Sequence, residues 1–224
     1  MHAFFLDVYE ITKRLLPSLS ESLTDRSPTL EVKAFPKELE AVAEALHSAA
    51  NQIEIESRLN VLYEHAKSFS TEPAIASVSF LYSHSYYRQE KPAIALDWNT
   101  RARDNVDGIL PPLAKAAIVS QRVGIHVQQN RFDDAIKLTK ELKAIDLNTR
   151  DKQLVIPMIQ LLDLSVAYEG GDERAEALIN NTSFTFSDRS LRHFLLARYY
   201  LQSGRNKRAI EELSVSEEYL PQVE

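Results

Sequence analysis

Three features of the sequence predict an all-α fold. Apolar residues recur at alternating three- and four-residue steps over long stretches, the period of a helix that buries one face. Glycine is scarce, 5 in 224 residues, and alternating strand-like runs are missing. From about residue 71 onward, small residues recur at long regular intervals, the pattern left by stacked helical hairpins.

The elements follow in chain order. Ala3 to Leu19 carries Phe5, Val8, Leu15, Leu16 and Leu19 at helical spacing. This predicts a short helix whose end is threatened by Pro17. Ser20 to Phe35, rich in Ser and Thr and containing Pro28, reads as a linker. Pro36 then stands where a helix can begin, because its missing N–H costs nothing in a first turn. Beyond it Leu39, Val42, Leu46, Ala49 and Ile53 form one stripe, and Ile55, Leu59, Leu62, Ala66 and Phe69 a second, shifted one. The shift marks a stutter or a break between two helices. The stripe fits packing on neighbouring helices of the same chain, and it leaves open a homodimer through the 37–69 helix. Residues 1–70 are therefore expected to form an N-terminal helical segment: short helix, linker, long amphipathic helix. Thr71-Glu72-Pro73 then reads as a helix start, with Thr71 as cap and Pro73 in the first turn.

Residues 71–224 divide into about four helix hairpins. Each has an apolar helix, a short polar turn and a second helix opening just before a small anchor. The anchors are Ala95, Ala135, Ala175 and Ala209, spaced by 40 residues (95 to 135), 40 (135 to 175) and 34 (175 to 209). Asn130, Phe132 and Ala135 mark the second hairpin. Ala197, Tyr200, Gly204, Ala209 and Ser216 mark the fourth, followed by Pro221, and Tyr86, Ala95 and Ala102 the first. In the third, the Gly170-Gly171 turn comes too close to Ala175 for the same register.

On these residues the chain resembles the tetratricopeptide family. The resemblance implies a right-handed superhelix of antiparallel hairpins, an α-solenoid, with an N-terminal helical extension. It also implies a non-catalytic scaffold or adaptor that binds a partner peptide or helix in a concave groove lined by the first helix of each hairpin. Carried over by position, the groove residues are His84, Tyr87 and Arg88, then Gln128, then Arg198 and Gln202. The Lys and Asn clamp by which one subclass binds acidic C-terminal tails is not reproduced, since Phe80, His84, Phe194 and Arg198 hold those places. The 40-residue spacing also resembles the repeat arrays of large bacterial transcription activators. That likeness implies the alternative, a regulatory repeat domain of a transcription or signalling system, controlled by an effector or partner.

Chemistry finds little support. No two of the 6 histidines stand three or four apart, so a helical zinc pair is missing, and with no cysteine there is no thiolate ligand or nucleophile. The few glycines fall at no phosphate-cradling spacing, and no Gly-x-Ser-x-Gly elbow occurs. No catalytic residue, metal or cofactor is expected. A net charge of −6 argues against general nucleic-acid binding, which needs a cationic surface. The N-terminus lacks the basic region of a signal peptide, and no stretch reaches the roughly 18 apolar residues of a membrane span. The expected location is cytoplasmic.

Overall fold

The computed structural model describes residues 8–24, 30–48, 51–69, 71–105, 111–169, 174–181 and 189–218. Every regular element among them is an α-helix: α1 (Val8–Thr24), α2 (Leu30–His47), α3 (Gln52–Ser68), α4 (Glu72–Arg88), α5 (Pro92–Asp104), α6 (Pro112–Gln128), α7 (Phe132–Ala144), α8 (Thr149–Glu169), α9 (Ala175–Asn181), α10 (Arg189–Gln202) and α11 (Asn206–Glu218). They fall into two compact units, Met1–Leu162 and Asp163–Glu224, with the division inside α8. The boundary expected at residue 70 lies inside the first unit. Phe5, the Gly170-Gly171 turn and Pro221 lie outside the described residues.

The N-terminal helices run further than proline alone would allow. Pro17 lies inside α1, which continues to Thr24, and Pro36 lies inside α2, which starts at Leu30 rather than at the proline. Both described parts of the expected linker, 20–24 and 30–35, are thus helical. An interior proline costs about 3 kcal/mol in an isolated helix. Burying a Leu or Phe side chain gains about 1.5–3 kcal/mol. Leu19 and Leu23 beyond Pro17, and Phe35 beside Pro36, are all fully enclosed, and Phe35 sets its ring edge-on to Phe69 at 5.4 Å. Tertiary burial therefore carries both helices through their prolines. The two stripes do belong to two helices, but α2 ends at His47 and α3 starts at Gln52, so the break comes before the shift from Ile53 to Ile55. Leu39, Val42 and Leu46 on α2 and Ile55, Leu59, Leu62 and Ala66 on α3 are buried within the chain. Ile53, which the stripe had included, is 80% exposed. Most of both stripes is thus buried inside the first unit, while Ile53 and Val61 of α3 stay exposed.

Helix starts follow local chemistry. Asn51 caps α3, its side-chain oxygen accepting from the Ile53 N–H at 3.0 Å. Proline occupies the first turn of α4, α5 and α6. Thr71 precedes α4 as expected but does not cap it by its side chain; its hydroxyl is buried instead.

In the first unit, α4 packs on α5 and α6 on α7 as hairpins, while α3 joins α2 to α4 and α5 joins α4 to α6. The helices α2, α4 and α6 touch in turn and form a row. A polar seam fixes its register. Asn99, fully buried on α5, donates to the Ile118 carbonyl and the Gln121 Oε1, both at 3.0 Å, and Gln121 donates to the Phe80 carbonyl. In the second unit α10 packs on α11 and on α9. Ala197, Tyr200, Ala209 and Ser216, the pattern residues of the last hairpin, are buried there.

The hairpin turns repeat in detail. Glu90, Asn130 and Gly204 hold left-handed backbone, with φ of 57°, 56° and 71°. In each turn the N–H of the next residue closes back on the last helical turn: Lys91 to the Tyr86 carbonyl at 3.0 Å, Arg131 to His126 at 2.9 Å, Arg205 to Tyr200 at 2.8 Å. This is the Schellman closure, which satisfies carbonyls that a helix end leaves open. Five residues after each left-handed position comes an anchor alanine, Ala95, Ala135 or Ala209, with no exposed surface. A methyl group there lets the two helices approach closely. Ala175 is equally buried and packs on Ala167.

Candidate helix-binding row

The row of α2, α4 and α6 is not bare. The first helix, α1, packs against all three of its members. Its apolar positions Ile11, Leu15, Leu19 and Leu23 stand at four-residue steps and so share one face. Ile11, Leu19 and Leu23 are at most 2% exposed, and Leu15 is partly buried against the same core. That core runs from α1 through Leu39 and Val42 on α2 and Leu81 on α4 to Ile118 on α6. The Arg14 guanidinium lies 3.9 Å from the Asp151 carboxylate in the first turn of α8. Asp151 is itself held by Asn148: the Asn148 side-chain oxygen accepts from the Asp151 N–H at 2.9 Å, and its amide donates to the carboxylate at 2.7 Å. The negative group thus sits where the helix start favours it.

The residues expected to line a groove fall in two places. His84, Tyr87, Arg88 and Gln128 belong to the row helices α4 and α6, while Arg198 and Gln202 lie on α10 in the second unit. His84 is 8% exposed and Tyr87 5%, so both are interior side chains rather than groove walls. Burial beside the Arg88 charge lowers the His84 imidazole to a pKa of about 3, and burial raises the Tyr87 phenol well above its ordinary value. Tyr87 packs on Ala95 and Ile125, filling the space between the first two hairpins. Arg88 donates from its guanidinium to the Leu46 carbonyl in the last turn of α2. A cation at a helix C-terminus meets both the open carbonyl and the negative end of the helix dipole. Gln128 donates to the Tyr87 carbonyl at 3.4 Å and is half-buried. Arg198 is half-buried and Gln202 exposed. The C-terminus of α2 lies over that end of α4, through the hydrogen bond from Arg88 to Leu46.

Two features went unread in the sequence. One is the docking of α1, whose four-residue stripe was visible, though nothing local told that it crosses three helices. The other is an aromatic group joining α3, α4 and α5. Tyr82 stacks on Trp98 at 4.1 Å and on Tyr86 at 6.2 Å, and Tyr63 meets Trp98 edge-on at 5.0 Å. The Arg101 guanidinium covers the Trp98 ring at 4.5 Å. This fixes Trp98 in the packing between helices, and only a fold that brings residues 63, 82 and 98 together reveals it.

Among the described residues, no group of three or more His, Asp or Glu side chains could hold a metal, and no helix is long and apolar enough to cross a membrane. No protein-family model, curated protein or solved structure matches the chain.

Proposed function

We propose that this chain is a non-catalytic scaffold or adaptor: a tetratricopeptide-like right-handed α-solenoid that holds a partner peptide or helix on the row formed by the first helices of its hairpins. The observation that carries the reading is the recurrence of one turn. Three hairpins close through the same left-handed residue and the same backbone hydrogen bond, with a buried alanine five residues on. One hairpin cannot bury its apolar face alone, so units of this kind stack, and stacking generates extended surfaces suited to recognition. A regulatory repeat domain of a bacterial transcription or signalling system is the second reading, favoured by one specific observation: in the first unit the row is already covered by α1.

The test is site-specific photo-crosslinking in a native lysate. A photoreactive residue at Gln128 or Gln202 samples the first helices of hairpins, and one at Ile94 or Ile210 samples the second helices, where these isoleucines are 42% and 64% exposed. One protein crosslinked from the first pair and not from the second supports the scaffold reading and its location. Crosslinks only from Ile94 and Ile210 move the surface to the other helices. No specific crosslink from any position, with the chain folded, rejects the scaffold.

A further inference from the structure

The helix α1 packs most heavily on α2, its neighbour along the chain, and reaches past it to α4 and α6, so its stripe touches three helices of the first unit. The core it shares with α6 joins residues about 100 positions apart, Ile11 and Ile118 among them. Beyond the stripe, the charged side chain of Arg14 lies near the capped first turn of α8. This is how an amphipathic helix is recognised in a groove: apolar anchors one turn apart set the axis, and a charge pair sets direction and register.

We propose that the α2/α4/α6 row is a binding site for an amphipathic helix, that α1 is its occupant in cis, and that the external partner is a helix of the same pattern. That pattern is Ile or Leu at i, i+4, i+8 and i+12, with a basic side chain at i+3, as in Ile11, Leu15, Leu19, Leu23 and Arg14. The inference rests on the scaffold reading of this row and names its ligand class.

The cis occupant carries a handicap. Pro17 stands inside α1 with its ring exposed, so it contributes no packing while denying the helix an internal donor. A partner helix with the same stripe and no proline forms more readily. Against it works the tether, which holds α1 at an effective concentration of the order of millimolar. Displacement therefore needs a partner that gains what α1 loses at Pro17.

The experiment uses the full chain and a fluorescein-labelled peptide of residues 8–24 carrying Pro17→Ala, read by fluorescence anisotropy. The host is either wild type or a chain whose cis helix is weakened by Leu19→Ser. The peptide is expected to bind the Leu19→Ser chain at least 10-fold more tightly than wild type. A control peptide that itself carries Leu19→Ser is expected not to bind. Equal affinity for both hosts places binding away from the α1 seat and overturns the proposal, as does failure to bind a Leu19→Ser chain that keeps its helical circular dichroism. If that variant loses its fold, hydrogen exchange on the wild type decides. Exchange of α1 amides at lower free energy than those of α4 and α6 supports a displaceable helix, and exchange of all three only by global unfolding refutes it. No lysate partner enters this test. Failure here with position-specific crosslinks intact removes the cis ligand alone, and the reverse removes the cellular scaffold role alone.

Discussion

Glu90, Asn130 and Gly204 make a natural series, because one backbone position is filled by three residue types of different tolerance. Left-handed backbone costs an ordinary L residue about 1–2 kcal/mol. Asparagine tolerates it better, and glycine adopts it freely. Glu90 is exposed and lies at φ 57°, so replacing it removes no packing. Glu90→Gly is expected to stabilise the first unit by about 1 kcal/mol after the extra freedom of glycine in the unfolded chain is subtracted. For a unit of this size that is a rise in midpoint of about 2–4 °C. Asn130→Gly should give only a few tenths of a kcal/mol. Gly204→Ala runs the other way. A Cβ built there meets nothing within 4 Å, so the loss, about 1 kcal/mol in the second unit, is backbone strain with no steric part. Thermal and urea unfolding by circular dichroism measure all three. The fluorescence of Trp98, the single tryptophan, isolates the first unit. A Glu90→Gly chain with an unchanged or lower midpoint would refute the reasoning, because the turn geometry would then carry no strain for glycine to relieve.

Other outcomes follow from the same physics. The His84 pKa is depressed from 6.5 to about 3 in the folded chain, so the unfolded chain binds the proton more tightly. Its contribution is fully present above pH 6.5 and is lost as pH falls from there toward 3, on the order of a few kcal/mol; denaturant midpoints against pH should show this slope, and His84→Leu should flatten it. Arg88→Ala removes a charged donor from the Leu46 carbonyl and should destabilise the first unit by about 1.5–3 kcal/mol, with Arg88→Lys recovering part; no change in urea midpoint would exclude the capping role. Asn99→Ala leaves the Gln121 side-chain oxygen without its buried donor and takes a second donor from the Ile118 carbonyl, and should cost about 1–3 kcal/mol, whereas an exposed control such as Asp97→Ala should stay within about 0.5 kcal/mol.

The helices were legible wherever local chemistry decided them. The stripe shift announced two helices but placed their junction late, since Ile53 and Ile55 both lie inside α3, whereas Ala95, Ala135 and Ala209 marked the hairpin crossings because a tight crossing needs a small side chain at one place. Pro17 and Pro36 misled, since a proline rule is local while the burial of Leu23 and Phe35 that overrides it depends on distant helices. From their offset along α4, His84 and Tyr87 read as groove residues, but their burial depends on neighbouring helices, and no spacing along α4 records that. The capping role of Arg88 was hidden for the same reason: its partner carbonyl lies 42 residues away.

The reach of α1 also sets an order of events during synthesis. Its stripe leaves the ribosome before its seat is complete, because α6 is made about 100 residues later. At 5–20 residues per second, that gap lasts roughly 5–20 s. Closing so long a loop carries an entropic cost that can be met only when the row already stands. For that interval Ile11, Leu15, Leu19 and Leu23 have α2 but not yet α6 to pack on, which leaves part of the stripe open to a chaperone or to the row of a neighbouring, finished copy.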